Sequence, residues 1–196
     1  MHRPLRPVRD PVRRRLLRYL AAGPTLLTAG LAAPLARAVE SFAQDLPAPR
    51  ALSLVSTHTG ERLAMRYFED GAYIPAALQR LNHVLRDHRS GEVAAIDPRL
   101  LDQLHLVALR AGCEPSFEII SGYRSPATNE KLRKASTGVA TRSLHMDGRA
   151  IDVRLKGCRT ARLHELALGL KAGGVGYYAK SDFVHLDTGR VRAWTG

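Results

Sequence analysis

Residues 51–56 alternate with period two, placing Leu52, Leu54 and Ser56 on one face, and residues 61–68 read as a partner strand across the turn Thr57-His58-Thr59-Gly60. This predicts a hairpin. The period then changes. Ile74-Pro75 opens a helix, since proline is tolerated in a first turn whose N–H groups have no partner, and Leu78, Leu81 and Leu85 follow at helical spacing. Asp97-Pro98 repeats the device with aspartate as the cap; Leu100, Leu101, Leu104, Val107 and Ala108 give a buried face, and Gly112 stops the helix. Residues 117–121 and 150–155 read as strands, the second with Ile151 and Val153 on one face and Asp152 on the other. Residues 183–187 are strand-like but alternate less cleanly. Pro126 opens a short helix, and Thr160 is expected to cap another whose apolar residues are Leu163, Leu166, Leu168 and Leu170. The glycine cluster at 173–176 lacks the strand-to-helix setting of a phosphate loop and reads as backbone closely approached by neighbours or by substrate. The expected class is α+β: a single compact domain, 51–196, with helices packed on an antiparallel sheet.

Composition changes that picture mainly at the N-terminus. The chain of 196 residues carries a net charge of +12, which at first suggests nucleic acid, but eight Arg and one Asp in residues 1–38 account for +7 of it. No nucleic-acid reading motif accompanies the remainder, and nucleic acid is not expected as a partner. The run Val12-Arg13-Arg14-Arg15-Leu16-Leu17-Arg18, followed by an apolar stretch over 19–35 and by Ala36-Arg37-Ala38, resembles a twin-arginine export signal with its cleavage site. Residues 1–38 are therefore assigned to export by the twin-arginine machinery and 39–50 to a linker. The mature protein would be a periplasmic monomer, or would remain anchored to the inner membrane if the signal is retained. Cys113 precedes one strand and Cys158 follows another; if those strands pair antiparallel, the two thiols come close enough to bridge in an oxidising compartment.

The candidate chemistry lies in the last third of the chain. Catalytic zinc takes three protein ligands from His, Asp and Glu and keeps one position open, and His145, Asp152 and His185 supply such a set if the strands through Asp152 and His185 are neighbours. Other histidines have plainer readings: His58 as a turn residue, His83, His88 and His164 as exposed, and His105 as packed on its helix.

Ser-x-His-x-x-Gly-x-Ala-x-Asp, beginning at Ser143, followed by Asp182-x-x-His185, resembles the zinc D-Ala-D-Ala peptidase superfamily. Ile120-Ser121-Gly122-Tyr123-Arg124-Ser125-Pro126 and Gly174-Val175-Gly176-Tyr177-Tyr178 are similar to its murein endopeptidase K branch, as are Thr57 to Glu61 and the stretch around Leu81-Asn82 and Asp87-His88. The resemblance covers about 51–194. It implies a Zn2+ peptidoglycan endopeptidase that cleaves meso-diaminopimelate–meso-diaminopimelate or D-Ala–meso-diaminopimelate links. Arg124 would stabilise charge on the carbonyl oxygen, and Asp182 would act as general base. A strict strand turns residues i and i+3 to opposite faces, so Asp182 needs a bend to reach the site. Ser143 and Gly148 are candidate substrate contacts, and Asp187 is a candidate for orienting a ligand histidine through its other ring nitrogen. Two other readings stand beside this one: a carboxypeptidase trimming stem peptides, and a wall-binding module in which the same residues hold a structural zinc.

Overall fold

The computed structural model describes residue 46 and residues 48–136 and 138–196. The expected export segment 1–38 and residues 39–45 of the expected linker lie outside the described residues. No helix among the described residues is long and apolar enough to cross a membrane.

The elements are β1 (Arg50–Ser56), β2 (Arg62–Glu69), β3 (Ala72–Tyr73), α1 (Pro75–Val84), α2 (Pro98–Ala111), β4 (Ser116–Ser121), α3 (Pro126–Ala135), a 3-10 turn (Leu144–Asp147), β5 (Ala150–Leu155), α4 (Thr160–Leu170), β6 (Gly174–Tyr178), β7 (Phe183–Asp187) and β8 (Arg192–Thr195). The strands form one sheet in the order β3-β2-β1-β4-β5-β7-β6-β8. It is antiparallel as expected, except that β1 pairs parallel with β4 and β6 parallel with β8. The fold is α+β.

Helix boundaries follow the expected chemistry. Asp97 accepts from the Arg99 N–H to cap α2, Pro98 fills its first turn, and Gly112 ends it in the left-handed conformation. Ser125 caps α3 by accepting from the Thr128 N–H. The cap of α4 is a correction: Arg159 occupies that position, and Thr160, the first helical residue, uses its hydroxyl to donate to Asp182 at 2.6 Å.

The apolar faces meet in one core. Leu52 and Leu54 of β1, Phe117 and Ile119 of β4, Ile151 and Val153 of β5, and Val184 and Leu186 of β7 are buried with Leu100, Leu104 and Val107 of α2. The stripe that α4 contributes is Leu163, Ala167 and Leu170, while Leu168 is exposed. At the far side, buried Arg50 pairs with buried Asp102 at 2.9 Å, and Asp102 also accepts from the Tyr67 and Tyr73 hydroxyls at 3.0 and 2.6 Å. Burial and the adjacent carboxylate push both phenols well above their ordinary range. This cluster ties β1, β2 and β3 to α2.

Strand geometry leaves the opposite sheet face free for chemistry. Residues directly paired across antiparallel strands share a face, and so do residues two apart along one strand. Ser121 pairs with Asp152, Asp152 with His185, His185 with Gly176, and Gly176 with Trp194. A single row thus crosses five strands. The register shift in β4 between Ile119 and Ser121 falls at the end of the row, where an irregularity re-aims the chain into the loop carrying Arg124.

Candidate metal centre and active site

His145 enters the row from the 3-10 turn. Ser143 caps that turn with its hydroxyl oxygen, and Gly148 closes it at φ +65°. The Nδ1 of His145 lies 2.7 Å from the Gly122 carbonyl, an acceptor only, so Nδ1 carries a proton and Nε2 is the nitrogen turned toward the cluster. That Nε2 stands 3.3 Å from His185 Nδ1 and 3.3 Å from Asp152 Oδ2. His185 Nδ1 is 2.8 Å from Asp152 Oδ1, and all three side chains are buried.

These distances suit a cation. A tetrahedral zinc with bonds of about 2.0–2.1 Å holds its ligand atoms roughly 3.3 Å apart. Three potential donor atoms from His145, Asp152 and His185 lie within 4.8 Å of one another. Each histidine is also fixed through its far nitrogen: His145 by the Gly122 carbonyl and His185 Nε2 by Asp187 Oδ2 at 3.1 Å. Asp187, fully buried, accepts in addition from the Gly174 and Gly189 N–H groups and from both terminal nitrogens of Arg192.

The protonation pattern follows. Burial works against charge on His185, but its bonds to Asp152 and Asp187 win and push its pKa up to about 9. Burial would raise Asp152, yet His145 and His185 hold its carboxyl well below the usual range. Asp187 is likewise held low, with its hydrogen-bond donors overcoming burial.

Arg124 reaches the cluster from the loop after β4. Its Nη2 lies 3.3 Å from Ser121 Oγ and 3.8 Å from Asp152 Oδ2, and its Nη1 donates to Asn129 Oδ1 at 3.3 Å. Burial lowers its pKa, and the charge of Asp152 opposes that shift. Cluster and arginine line a cavity of about 440 Å³, walled on one side by Tyr178, Phe183 and Trp194 and on another by residues of the 138–143 loop, Arg142 and Ser143 among them. A buried cluster of metal-ligand type, a guanidinium beside it and an open cavity form a site suited to polarising and attacking a carbonyl.

Comparison with known proteins agrees with this chemistry. The family model described as peptidoglycan L,D-endopeptidase MepK matches residues 44–194. The chain belongs to that family. The MepK peptidoglycan L,D-endopeptidase of Escherichia coli strain K12 is 44% identical over 148 residues, covering 76% of this chain and 81% of the relative. The probable MepK of Haemophilus influenzae is 40% identical over 151 residues, with 76% and 81% covered. No solved structure matches. The chain is thus an enzyme, a peptidase of the MepK family.

Within this MepK-family chain the structure brings His145, Asp152, His185, Arg124 and Ser143 to one cavity and sets Asp187 behind His185. It does not bring Asp182 there. Asp182 sits at φ +52°, just before β7, with an exposed side chain that accepts from the Thr160 hydroxyl and lies 3.4 Å from Arg154 Nε. The bend that the base assignment required is present, but it turns the carboxylate toward the start of α4, where Thr160 and Arg154 hold it. Gly148 also differs from expectation. A Cβ at that position would meet the Ala95 carbonyl oxygen at 2.1 Å, so the tight approach comes from the protein's own backbone. Cys113 and Cys158 are free thiols, both partly buried against the core.

Sequence reasoning missed Tyr178, Arg192 and Trp194. Trp194 stands with its ring centroid 5.1 Å from that of His185, and a Cβ on Gly176 would lie 2.5 Å from the indole, so this glycine makes room for the ring. The signal available was the glycine in an otherwise apolar strand, which marks close approach without naming the neighbour.

Proposed function

We propose that the protein is a zinc-dependent peptidoglycan endopeptidase of the periplasm, with His145, Asp152 and His185 as metal ligands, and that it cleaves the link between two meso-diaminopimelate residues. The observation that carries this is the buried cluster in which His145 Nε2 and His185 Nδ1 lie 3.3 Å apart and each lies 2.8–3.3 Å from one of the two Asp152 carboxylate oxygens, beside Arg124 in an open cavity. The choice of bond rests on stereochemistry. A meso-diaminopimelate cross-link joins the carbonyl of an L centre to the amine of a D centre, whereas D-Ala–meso-diaminopimelate joins two D centres, and the relatives are named L,D-endopeptidases.

Zinc in this site would supply Lewis acidity, polarising the peptide carbonyl and acidifying a water to near neutrality. The chain's own residues supply orientation. Gly122 and Asp187 fix the two imidazoles so that the nitrogens facing the cavity are the ones free to ligate. Arg124, held by Ser121 and Asn129, faces the place where carbonyl charge develops and can donate two hydrogen bonds to it. Ser143 keeps a hydroxyl proton for a substrate carbonyl, since its oxygen only accepts from the His145 N–H. Arg142, also at the cavity and without a protein partner among the described residues, suits a free carboxylate of the stem peptide. Residues 1–38 serve as the export signal in this reading, the linker that follows ends before Arg50, where β1 begins, and the protein acts as a monomer.

Mass-spectrometric analysis of fragments released from cross-linked peptidoglycan by the zinc-loaded protein tests the assignment. Loss of meso-diaminopimelate-linked dimers with matching gain of monomers is expected, and is expected to vanish in His145→Ala. Shortened stems with intact dimers would instead make it a carboxypeptidase. Bound zinc without any change in the wall would favour a binding module.

A further inference from the structure

The aromatic wall of the cavity contains one polar group that packing does not require. Tyr178 ends β6, two residues beyond Gly176, and so shares the face on which Gly176 pairs with His185. Its ring stacks on Phe183 with centroids 4.5 Å apart and 16° between the planes. The indole N–H of Trp194 lies 3.0 Å from the Tyr178 oxygen. Indole is a donor only, so the phenol is the acceptor in that bond and keeps its own proton. Among the described residues no acceptor takes that proton. The side chain lines the cavity together with Arg124, His145, Asp152 and His185.

An oxygen that accepts one hydrogen bond becomes a better donor through its own O–H, because chains of hydrogen bonds polarise one another. Here the ring that carries it is clamped by a stacked phenylalanine and by an indole seated on Gly176. The group is fixed before substrate arrives, the condition under which a donor stabilises developing charge without reorganisation.

We propose that Tyr178 is a catalytic residue of this peptidase, donating a hydrogen bond to the scissile carbonyl oxygen as it gains negative charge, with Trp194 as the positioning residue that holds the phenol in place. The proposal rests on the endopeptidase reading above. No bond to Tyr178 forms or breaks; the hydroxyl keeps its proton and shares it with the oxygen, complementing Arg124.

The test uses the full chain loaded with zinc and a purified cross-linked muropeptide dimer. Tyr178→Phe keeps the ring and its stacking, and is expected to lower kcat on the order of 10²-fold, as loss of one such donor does elsewhere, with KM and bound zinc unchanged. A phosphinate peptide mimicking the tetrahedral centre should bind Tyr178→Phe more weakly by a comparable factor, while the monomer product binds as before. Trp194→Phe should give a smaller fall in kcat. A Tyr178→Phe enzyme whose kcat stays within threefold of wild type overturns the proposal. So does a rise in KM alone, which would make Tyr178 part of the binding wall. Wild-type protein that binds zinc but leaves the dimer intact would instead overturn the endopeptidase reading, and the role of Tyr178 with it.

Discussion

His145, on a turn before an alternating strand, and Asp152, on that strand's polar face, meet His185 in one buried cluster. Asp182 stays outside that cluster, because spacing along a strand says nothing about the turn before it, and there a left-handed residue with Thr160 and Arg154 as partners decides the direction. Dimer cleavage should therefore persist within a few-fold in Asp182→Ala and be lost in His145→Ala together with its metal. Asp187→Asn removes the charge behind His185 and should weaken zinc binding by about 10–100-fold, read by competition with a chromophoric chelator. Asp87 offers a test away from the cluster. It is buried, accepts from the Ser125 N–H and hydroxyl and from the Arg89 N–H, and is held well below the ordinary carboxylate range, its hydrogen bonds overcoming burial. A depressed folded pKa gives stability that is present above the unfolded value near 4 and lost as pH falls through the folded one. Asp87→Ala should cost about 2–3 kcal/mol in urea denaturation at pH 7, and the gap to wild type should narrow below about pH 4.

At the scale of elements, the sequence was most readable where capping and periodicity agreed. Asp97, Pro98 and Gly112 bounded α2 because each performs a backbone task that few residues can. The hairpin β1–β2 and strand β5 followed from alternation, and β4 and β7 from short apolar runs. The two-residue β3 was too short to carry a pattern, and β8, Arg-Ala-Trp-Thr, has no apolar alternation. What stabilises β8 is its parallel pairing with β6 and the anchoring of Arg192 on Asp187, both long-range facts that no local window contains. The 3-10 turn that delivers His145 depends on Gly148, whose left-handed backbone disfavours a Cβ by about 1–2 kcal/mol even before any contact. With the Ala95 carbonyl 2.1 Å from where that Cβ would sit, Gly148→Ala should lower the urea midpoint by more than this strain alone implies, and should also weaken zinc binding through displacement of His145.

The whole molecule is a sheet with division of labour between its faces: core on one, and on the other a row of polar and aromatic groups spanning β4 to β8. Because the cluster joins residues of the 3-10 turn, β5 and β7 that only the fold brings together, metal should bind the native state far better than the unfolded chain. Zinc at about 100 times its dissociation constant should then add about 2.7 kcal/mol to stability, seen as a rise in melting temperature that a chelator reverses. Of the net charge of +12 in the sequence, residues 1–38 carry +7. The chain has a single tryptophan, and the fold seats it beside His185. Its near-ultraviolet emission is thereby a built-in optical gauge of the His145–Asp152–His185 cluster, free of background from any second indole. Replacing zinc by cobalt, an open-shell ion that quenches an excited ring at such short range, would dim that light in proportion to occupancy, so metal loading could be followed in real time without labelling the protein.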